Sequence, residues 1–351
     1  MEMSVRFPNL HLVLEYLPRS FCIFGMEFTL YGVLIAVGTL LGMGLVLLEV
    51  RRSGQDQNKY LCLILVSLIF AVFGSRLSYV VLSWKMYRSA PMEIFHMREG
   101  GYMFYGGLLA GILAVWVLCR FLHLSFWQIA DTVCPGILLG QAVGRWGDFF
   151  NRESFGEYTD SLFAMQIPVS MVRSAEVSGT MRDNMMTIKG ISYIQVHPVF
   201  LYESLWCFLL LFILLGLLRK KKFHGEIFML YLSGYGLGRF FFEWLRTDKM
   251  LIPGTGIDIS LVISAALVII FVPAVIIQRI MTMKRAVLWK KRRERDEQQE
   301  QPEQIVAQNP ENTESESGKK TREETWEDLE YAHIPRKWCQ SDTDETESKN
   351  E

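Results

Sequence analysis

Arg76, Asp131, Arg145, Glu203, Arg239 and Glu243 are ionisable residues set in or at the ends of long apolar stretches of a 351-residue chain. A charge in such surroundings costs several kcal/mol unless it is paired or hydrated, so each one marks structure or function. Three of the six are arginines. A guanidinium presents a planar fork of donors that suits a pair of phosphate oxygens. Three such forks on three apolar segments point to a phosphate-bearing ligand, most simply a phospholipid headgroup. Tyr235, Arg239, Glu243 and Arg246 recur at spacings of four, four and three, which lays a polar stripe along one helix face. Inside a membrane such a stripe lines a cavity or another helix. Taken singly, each charge reads equally as structural glue, since Arg239 and Glu243 are spaced to pair with each other.

The elements that must hold these residues are long and apolar. Residues 28–48, 100–119 and 259–278 contain no charge. Each has the length, about 20 residues, that a helix needs to cross a bilayer core of about 30 Å. The chain is 50% hydrophobic and 21% charged. That composition excludes a disordered chain, a disulfide scaffold and a collagen-like repeat. The pattern predicts an all-α integral membrane protein with about seven transmembrane helices, near 27–48, 60–84, 102–120, 125–145, 198–218, 226–246 and 258–279. Lys and Arg concentrate after the first, third, fifth and seventh spans, which places those loops in the cytoplasm. The N-terminus then lies outside and the C-terminus inside, and every buried charge except Asp131 sits toward the outer ends of its span.

Residues 146–197 are too polar to span and are expected to form a small extracellular cap. Within them MTIKGISYIQV alternates around Gly190 and predicts a hairpin. The membrane domain is therefore drawn as 1–283. Residues 284–295 carry seven basic and one acidic side chain, a cytoplasmic flank, and 296–351 carry six basic and 17 acidic, a solvated disordered tail. The six cysteines form no CxxC pair and read as packing residues, Cys339 of the tail included. No cleavable signal peptide, metal site, cofactor site or nucleic-acid surface is expected.

The most specific stretch is Gly144-Arg145-Trp146-Gly147-Asp148-Phe149-Phe150-Asn151-Arg152-Glu153-Ser154-Phe155-Gly156. It closely resembles the signature G-R-x-G-N-F-x-N-x-E-x-x-G of the phosphatidylglycerol:prolipoprotein diacylglyceryl transferases, with Asp148 where that family has Asn. Further motifs follow in order over about 20–280. Leu30-Tyr31-Gly32 resembles the first-helix motif, and Gly74-Ser75-Arg76-Leu77 the second-helix one. Phe104-Tyr105-Gly106-Gly107-Leu108 resembles a motif that carries His or Tyr before Gly-Gly. His197-Pro198 with Leu201-Tyr202-Glu203 resembles H-P-x-x-L-Y-E. Arg239, Glu243, Arg246 and Asp248 resemble the late R-x-x-x-E-x-x-R-x-x-D block. Residues after about 284 lie outside the resemblance.

The resemblance implies transfer of a diacylglyceryl group from phosphatidylglycerol to the lipobox cysteine of a prolipoprotein signal peptide, at a bacterial cytoplasmic membrane and without a cofactor. It implies that Arg145 and Arg239 bind the phosphate and stabilise the leaving group, with Arg246 in the same basic set. Glu243 would orient Arg239, and Glu153 would orient Arg145. Asn151 and Tyr31 would bind glycerol hydroxyls or ester carbonyls, and Gly156 and Tyr235 would help to form the lipid site. Tyr105, with a reference pKa near 10, suits a hydrogen-bond donor better than a base. Proton acceptance then falls to Glu243, Glu153 or the leaving phosphate. Asp148 adds a carboxylate near an anionic phosphate and removes two donors, and it reads as part of the catalytic set, as a partner of an arginine or as a cap. A second reading is a catalytically weakened relative that binds anionic phospholipid or signal peptides. A transporter is disfavoured, because no matching repeats are evident.

Overall fold

The computed structural model describes residues 4–88, 91–95, 100–247 and 258–308. The expected 247–257 loop, with Asp248, and the acidic tail with Cys339 fall largely outside them. Seven long helices stand where the apolar stretches predict them: α1 (Leu30–Arg52), α2 (Gln57–Leu82), α4 (Phe104–Phe121), α5 (Phe126–Asn151), α7 (Val199–Leu218), α8 (Glu226–Leu245) and α9 (Ile259–Gln308). Two short helices, α3 (Trp84–Tyr87) and α6 (Gly179–Asp183), fill connections. By length and composition α1, α2, α4, α7 and the apolar part of α9 can cross a membrane. The fold is thus mostly helical, with five candidate membrane-spanning helices. The remaining two, α5 and α8, carry Asp131, Arg145 and Asp148, and Glu226, Arg239 and Glu243, which lower their apolarity. The described chain divides into two units, one ending at Ala286 and the other beginning at Val287.

Helix pairing follows small residues. α1 lies along α5, and α2 along α4. A Cβ added at Gly38 would sit 2.9 Å from the Gly140 carbonyl oxygen, and one at Gly107 2.9 Å from that of Ala71. Backbones approach this closely only where side chains are missing, the usual solution when helices lack a hydrophobic driving force between them. α5 also packs on α7, and α7 on α8.

The cap is a sheet, larger than the hairpin expected. β1 (Val5–Phe7), β2 (Leu12–Leu14), β5 (Met165–Pro168), β6 (Met186–Ile188) and β7 (Ile191–Val196) form an antiparallel sheet in the order β2-β1-β5-β7-β6. The β6–β7 hairpin turns at Lys189-Gly190, both at positive φ, as a two-residue turn requires. The strands from the N-terminus were not foreseen, because three-residue strands carry almost no periodic signal. Val5, Phe7, Met165, Ile167, Ile194 and Val196 form a core that continues onto Phe149 of α5 and Phe200 of α7. The phenyl rings of Phe149 and Phe200 lie 4.8 Å apart. A separate hairpin, β3 (Ser20–Ile23) with β4 (Met26–Thr29), leads into α1.

Candidate active site

Three helices bring their charges together at the end nearest the cap. Glu203, in the first turn and a half of α7, is the hub. Its Oε2 lies 2.8 Å from Arg145 Nε of α5, and its Oε1 accepts from Arg239 Nη1 of α8 at 2.9 Å. Arg246, just past α8, approaches Oε1 at 3.7 Å. Arg145 also donates from Nη1 to Asp148 Oδ2 at 3.1 Å. Arg239 Nε lies 3.0 Å from Glu243 Oε2, one helical turn on. The two Nε contacts are close but off-axis, so they act as ion pairs rather than aligned hydrogen bonds. Glu243 also meets the side chain of Asp258 before α9. Three guanidiniums thus face the carboxylates of Asp148, Glu203 and Glu243, with Asp258 a further buried carboxylate beside Glu243. Arg145, Glu203, Trp206, Cys207, Tyr235 and Arg239 line a cleft of about 10 Å³, room for one water. A larger cavity, about 190 Å³, lies between the α1–α2 and α4–α5 turns and shares none of these residues.

The segment after α5 closes this site from the cap side. Arg152 ends the helix at φ +58, in the left-handed conformation, and Ser154 follows at +55. Arg152 is buried and donates to the Leu17 carbonyl at 2.6 Å and the Phe150 carbonyl at 3.2 Å. Burial and the nearby Arg19 push its pKa down to about 10, so it stays charged at neutral pH. Arg246 Nη2 donates to Ser154 Oγ at 2.9 Å. Gly156 forms a bridge with Arg246, and its N–H donates to the His197 carbonyl at 3.0 Å. A Cβ at Gly156 would lie 2.7 Å from the Leu245 carbonyl oxygen and 2.8 Å from His197 Cβ. Glycine at this place in the motif therefore answers to close chain approach.

The other expected residues divide into two groups. Tyr31, on the first turn of α1, packs its ring against Gly147, where a Cβ would meet Tyr31 Cδ2 at 2.8 Å. That contact places Tyr31 beside Asp148 and Arg145. Asn151 is the last residue of α5, half-buried beside Arg152. Tyr235 lies one turn before Arg239 and stacks near Tyr231. Two expectations change. Glu153 pairs with Arg173 at 3.1 Å, whereas Arg145 is held by Glu203 and Asp148. The helix end turns Glu153 outward, toward the cap loop. Arg76 stays apart from the cluster: it binds the backbone carbonyls of Glu93, Ile94, Gly100 and Gly101 and holds the segment before α4. Tyr105, on the first turn of α4, is partly exposed with its ring edge-on to Phe104.

Asp131 has a structural role at the opposite end. It is fully buried and accepts from Gly225 N at 2.8 Å, Phe228 N at 3.0 Å and Lys221 Nζ at 3.3 Å. It therefore caps the N-terminus of α8 from a neighbouring helix. Glu226 is likewise buried and pairs with Arg279.

The sequence of residues 18–277 matches the family described as prolipoprotein diacylglyceryl transferase. The chain belongs to the prolipoprotein diacylglyceryl transferase family. A protein of Clostridium novyi named phosphatidylglycerol–prolipoprotein diacylglyceryl transferase is 39% identical over 235 residues, 67% of this chain and 86% of that protein. Proteins of Bacillus cereus and Bacillus anthracis with the same name are 36% identical over 251 residues, 71% of this chain and 87% of each relative. The diacylglyceryl transferase match covers the helical body as far as residue 277, strands β3 to β7 and every residue of the charge cluster; β1 and β2 precede it, and it ends before the basic flank. Within that family this chain's Asp148 carries a carboxylate, and the geometry gives it a partner in Arg145.

Proposed function

We propose that this chain transfers the diacylglyceryl group of phosphatidylglycerol to the lipobox cysteine thiol of a prolipoprotein signal peptide. The observation that carries this reading is the convergence of Arg145 and Arg239 on one carboxylate, Glu203, in a chain of this family. The two guanidiniums bind the phosphodiester. The sulfur attacks the glycerol carbon, the C–O bond to phosphorus breaks, and the electron pair leaves on the phosphate oxygen. The guanidiniums gain strength as that oxygen becomes more negative, which is where catalysis by electrostatics arises. The leaving group turns from a phosphodiester into a phosphomonoester with a second pKa near 6, so it takes up the thiol proton and departs as glycerol 1-phosphate. Glu243 and Glu203 position the two arginines. Tyr31 and Asn151 bind the glycerol or ester oxygens, Tyr235 and Gly156 shape the lipid site, Arg246 extends the basic mouth, and Tyr105 donates to the incoming substrate.

In the same reading seven helices cross a bacterial cytoplasmic membrane, with the cap outside and the basic turns and C-terminal tail inside. The sheet supports this: β1–β2 and β5–β7 pair directly, and α1, α2, α4 and α5 lie between them in the chain, an even number of crossings. Residues 1–283 then form the membrane domain and 284–351 the cytoplasmic flank and tail. The test uses purified protein in detergent with phosphatidylglycerol and a lipobox peptide, and mass spectrometry of the peptide. A diacylglyceryl thioether forms with the wild type and falls by about 10²–10³-fold in kcat/KM with Arg145→Ala, as for loss of one donor to a developing anion. An Arg145→Ala protein that binds lipid less well but turns over at the wild-type rate would remove Arg145 from the chemistry.

A further inference from the structure

The β3–β4 hairpin takes no part in the transfer chemistry. Its turn is Phe24-Gly25, with φ of +51° and +76°. A two-residue hairpin turn of this kind favours Asn, Asp or Gly at its first position, because a larger side chain strains the left-handed backbone. Here that position holds a phenylalanine whose surface is 97% exposed. A strained backbone and an unburied ring are both unfavourable, and no described residue offsets either. Ile23 and Met26, paired across the turn, are also exposed, and Phe28 stacks on Phe21 behind them. The tip is therefore a continuous apolar surface.

The hairpin is held firmly at its base. Leu30 N–H donates to the Arg19 carbonyl at 2.9 Å, and the Arg19 guanidinium donates to the Met171 carbonyl in the cap. Ser20 Oγ donates to Glu27 Oε1 across the strands, and Thr29 Oγ1 accepts from Gly32 N at 3.2 Å to cap α1. α1 is apolar enough to cross a membrane, and Ile35, Val37, Leu40 and Leu41 lie exposed along it. The apolar tip thus lies one strand away from a helix apolar enough to cross a membrane, with Ser20, Glu27 and Thr29 between them. A four-residue strand is about 13 Å long. The headgroup zone on each side of a bilayer is only about 6 Å deep. The tip can therefore reach the acyl chains.

We infer that the β3–β4 hairpin inserts Phe24, flanked by Ile23 and Met26, into the membrane leaflet on the cap side. A ring that projects without a groove around it suits fluid acyl chains, whereas a bound peptide needs a groove or a strand edge that supplies pockets. Because Tyr31 follows the hairpin by two residues and packs on Gly147, this anchor fixes the mouth of the charge cluster against the lipid surface. The inference needs α1 to cross the membrane and does not need the transfer reaction.

Phe24 is replaced by the photoreactive p-benzoylphenylalanine in the full chain, and Leu162, an exposed apolar residue of the cap, serves as the comparison position. Both proteins are reconstituted in vesicles of phosphatidylglycerol and phosphatidylcholine and irradiated, with and without a lipobox peptide. Mass spectrometry should find lipid adducts at position 24 at least about tenfold above those at 162, the ratio that about 1.4 kcal/mol, or roughly two buried methylenes, produces. Equal lipid adducts at the two positions would overturn the inference. So would adducts at 24 that switch from lipid to peptide when the peptide is added.

Discussion

Glu203→Gln tests the centre of the site. The wild-type carboxylate sits within 2.8 Å of Arg145 and 2.9 Å of Arg239, with Arg246 at 3.7 Å, and its side chain is 5% exposed. Glutamine keeps the shape and one acceptor but takes one negative charge from the cluster. Removing one member of a buried ion pair costs about 3–5 kcal/mol, and the retained acceptor puts this change near the lower end. For a body of this size a change of about 3 kcal/mol lowers the melting temperature by roughly 6–12 °C. Arg145 and Arg239 also lose their common anchor, and a displacement of about 1 Å at a reacting group costs on the order of 10²-fold in rate. The cluster meanwhile loses one negative charge, so KM for phosphatidylglycerol should not rise. Thermal unfolding in detergent and steady-state transfer to a lipobox peptide measure the three quantities separately. A melting temperature lowered by less than about 2 °C, together with an unchanged kcat, would show that Glu203 does not hold the arginines in place.

Asp148→Asn releases Arg145 from one of its two carboxylates and removes one negative charge from the cluster, so KM for phosphatidylglycerol falls, by up to roughly tenfold for about 1.4 kcal/mol of added attraction; a rise in KM, measured by lipid titration in mixed micelles, would contradict the charge argument. Asp131→Asn removes the charge that caps α8 and pairs with Lys221. It should destabilise the fold by about 1–3 kcal/mol, seen as a lower melting temperature with kcat preserved, because the site lies at the other end of α8. Burial holds the pKa of His197 below its ordinary value. The unfolded chain therefore takes up this proton first as pH falls below about 6.5, so stability is lost between that pH and the folded pKa and then levels off. Melting temperatures across pH 5–8 should show this dependence in the wild type and less of it in His197→Gln.

The body's helices were legible because length and apolarity are local properties. Each of the seven apolar stretches became a helix, and the alternation around Gly190 became a hairpin. Of the stripe of Tyr235, Arg239, Glu243 and Arg246, the first three share a face of α8, because residues four apart on a helix do so whatever the helix packs against, while Arg246 falls just past the helix end. The motif from Gly144 to Gly156 sufficed to point to the family, and of the six charged residues in apolar stretches Arg145, Glu203, Arg239 and Glu243 meet in one cluster.

Partner choice was decided by the tertiary structure. No spacing rule pairs Glu203 with Arg145 and Arg239, which lie on three different helices; their meeting depends on α5 packing on α7, and α7 on α8. The same packing sent Glu153 to Arg173 and gave Arg76 a set of backbone carbonyls. It also turned Asp131 from an isolated charge into the cap of a neighbouring helix, and it drew the N-terminal strands into the cap sheet across more than half of the body's sequence. A side chain's type and its position on a helix are written locally. The group that neutralises it depends on which surfaces come together, since an ion pair reaches only about 4 Å and the surroundings at that distance are set by elements far apart in the chain.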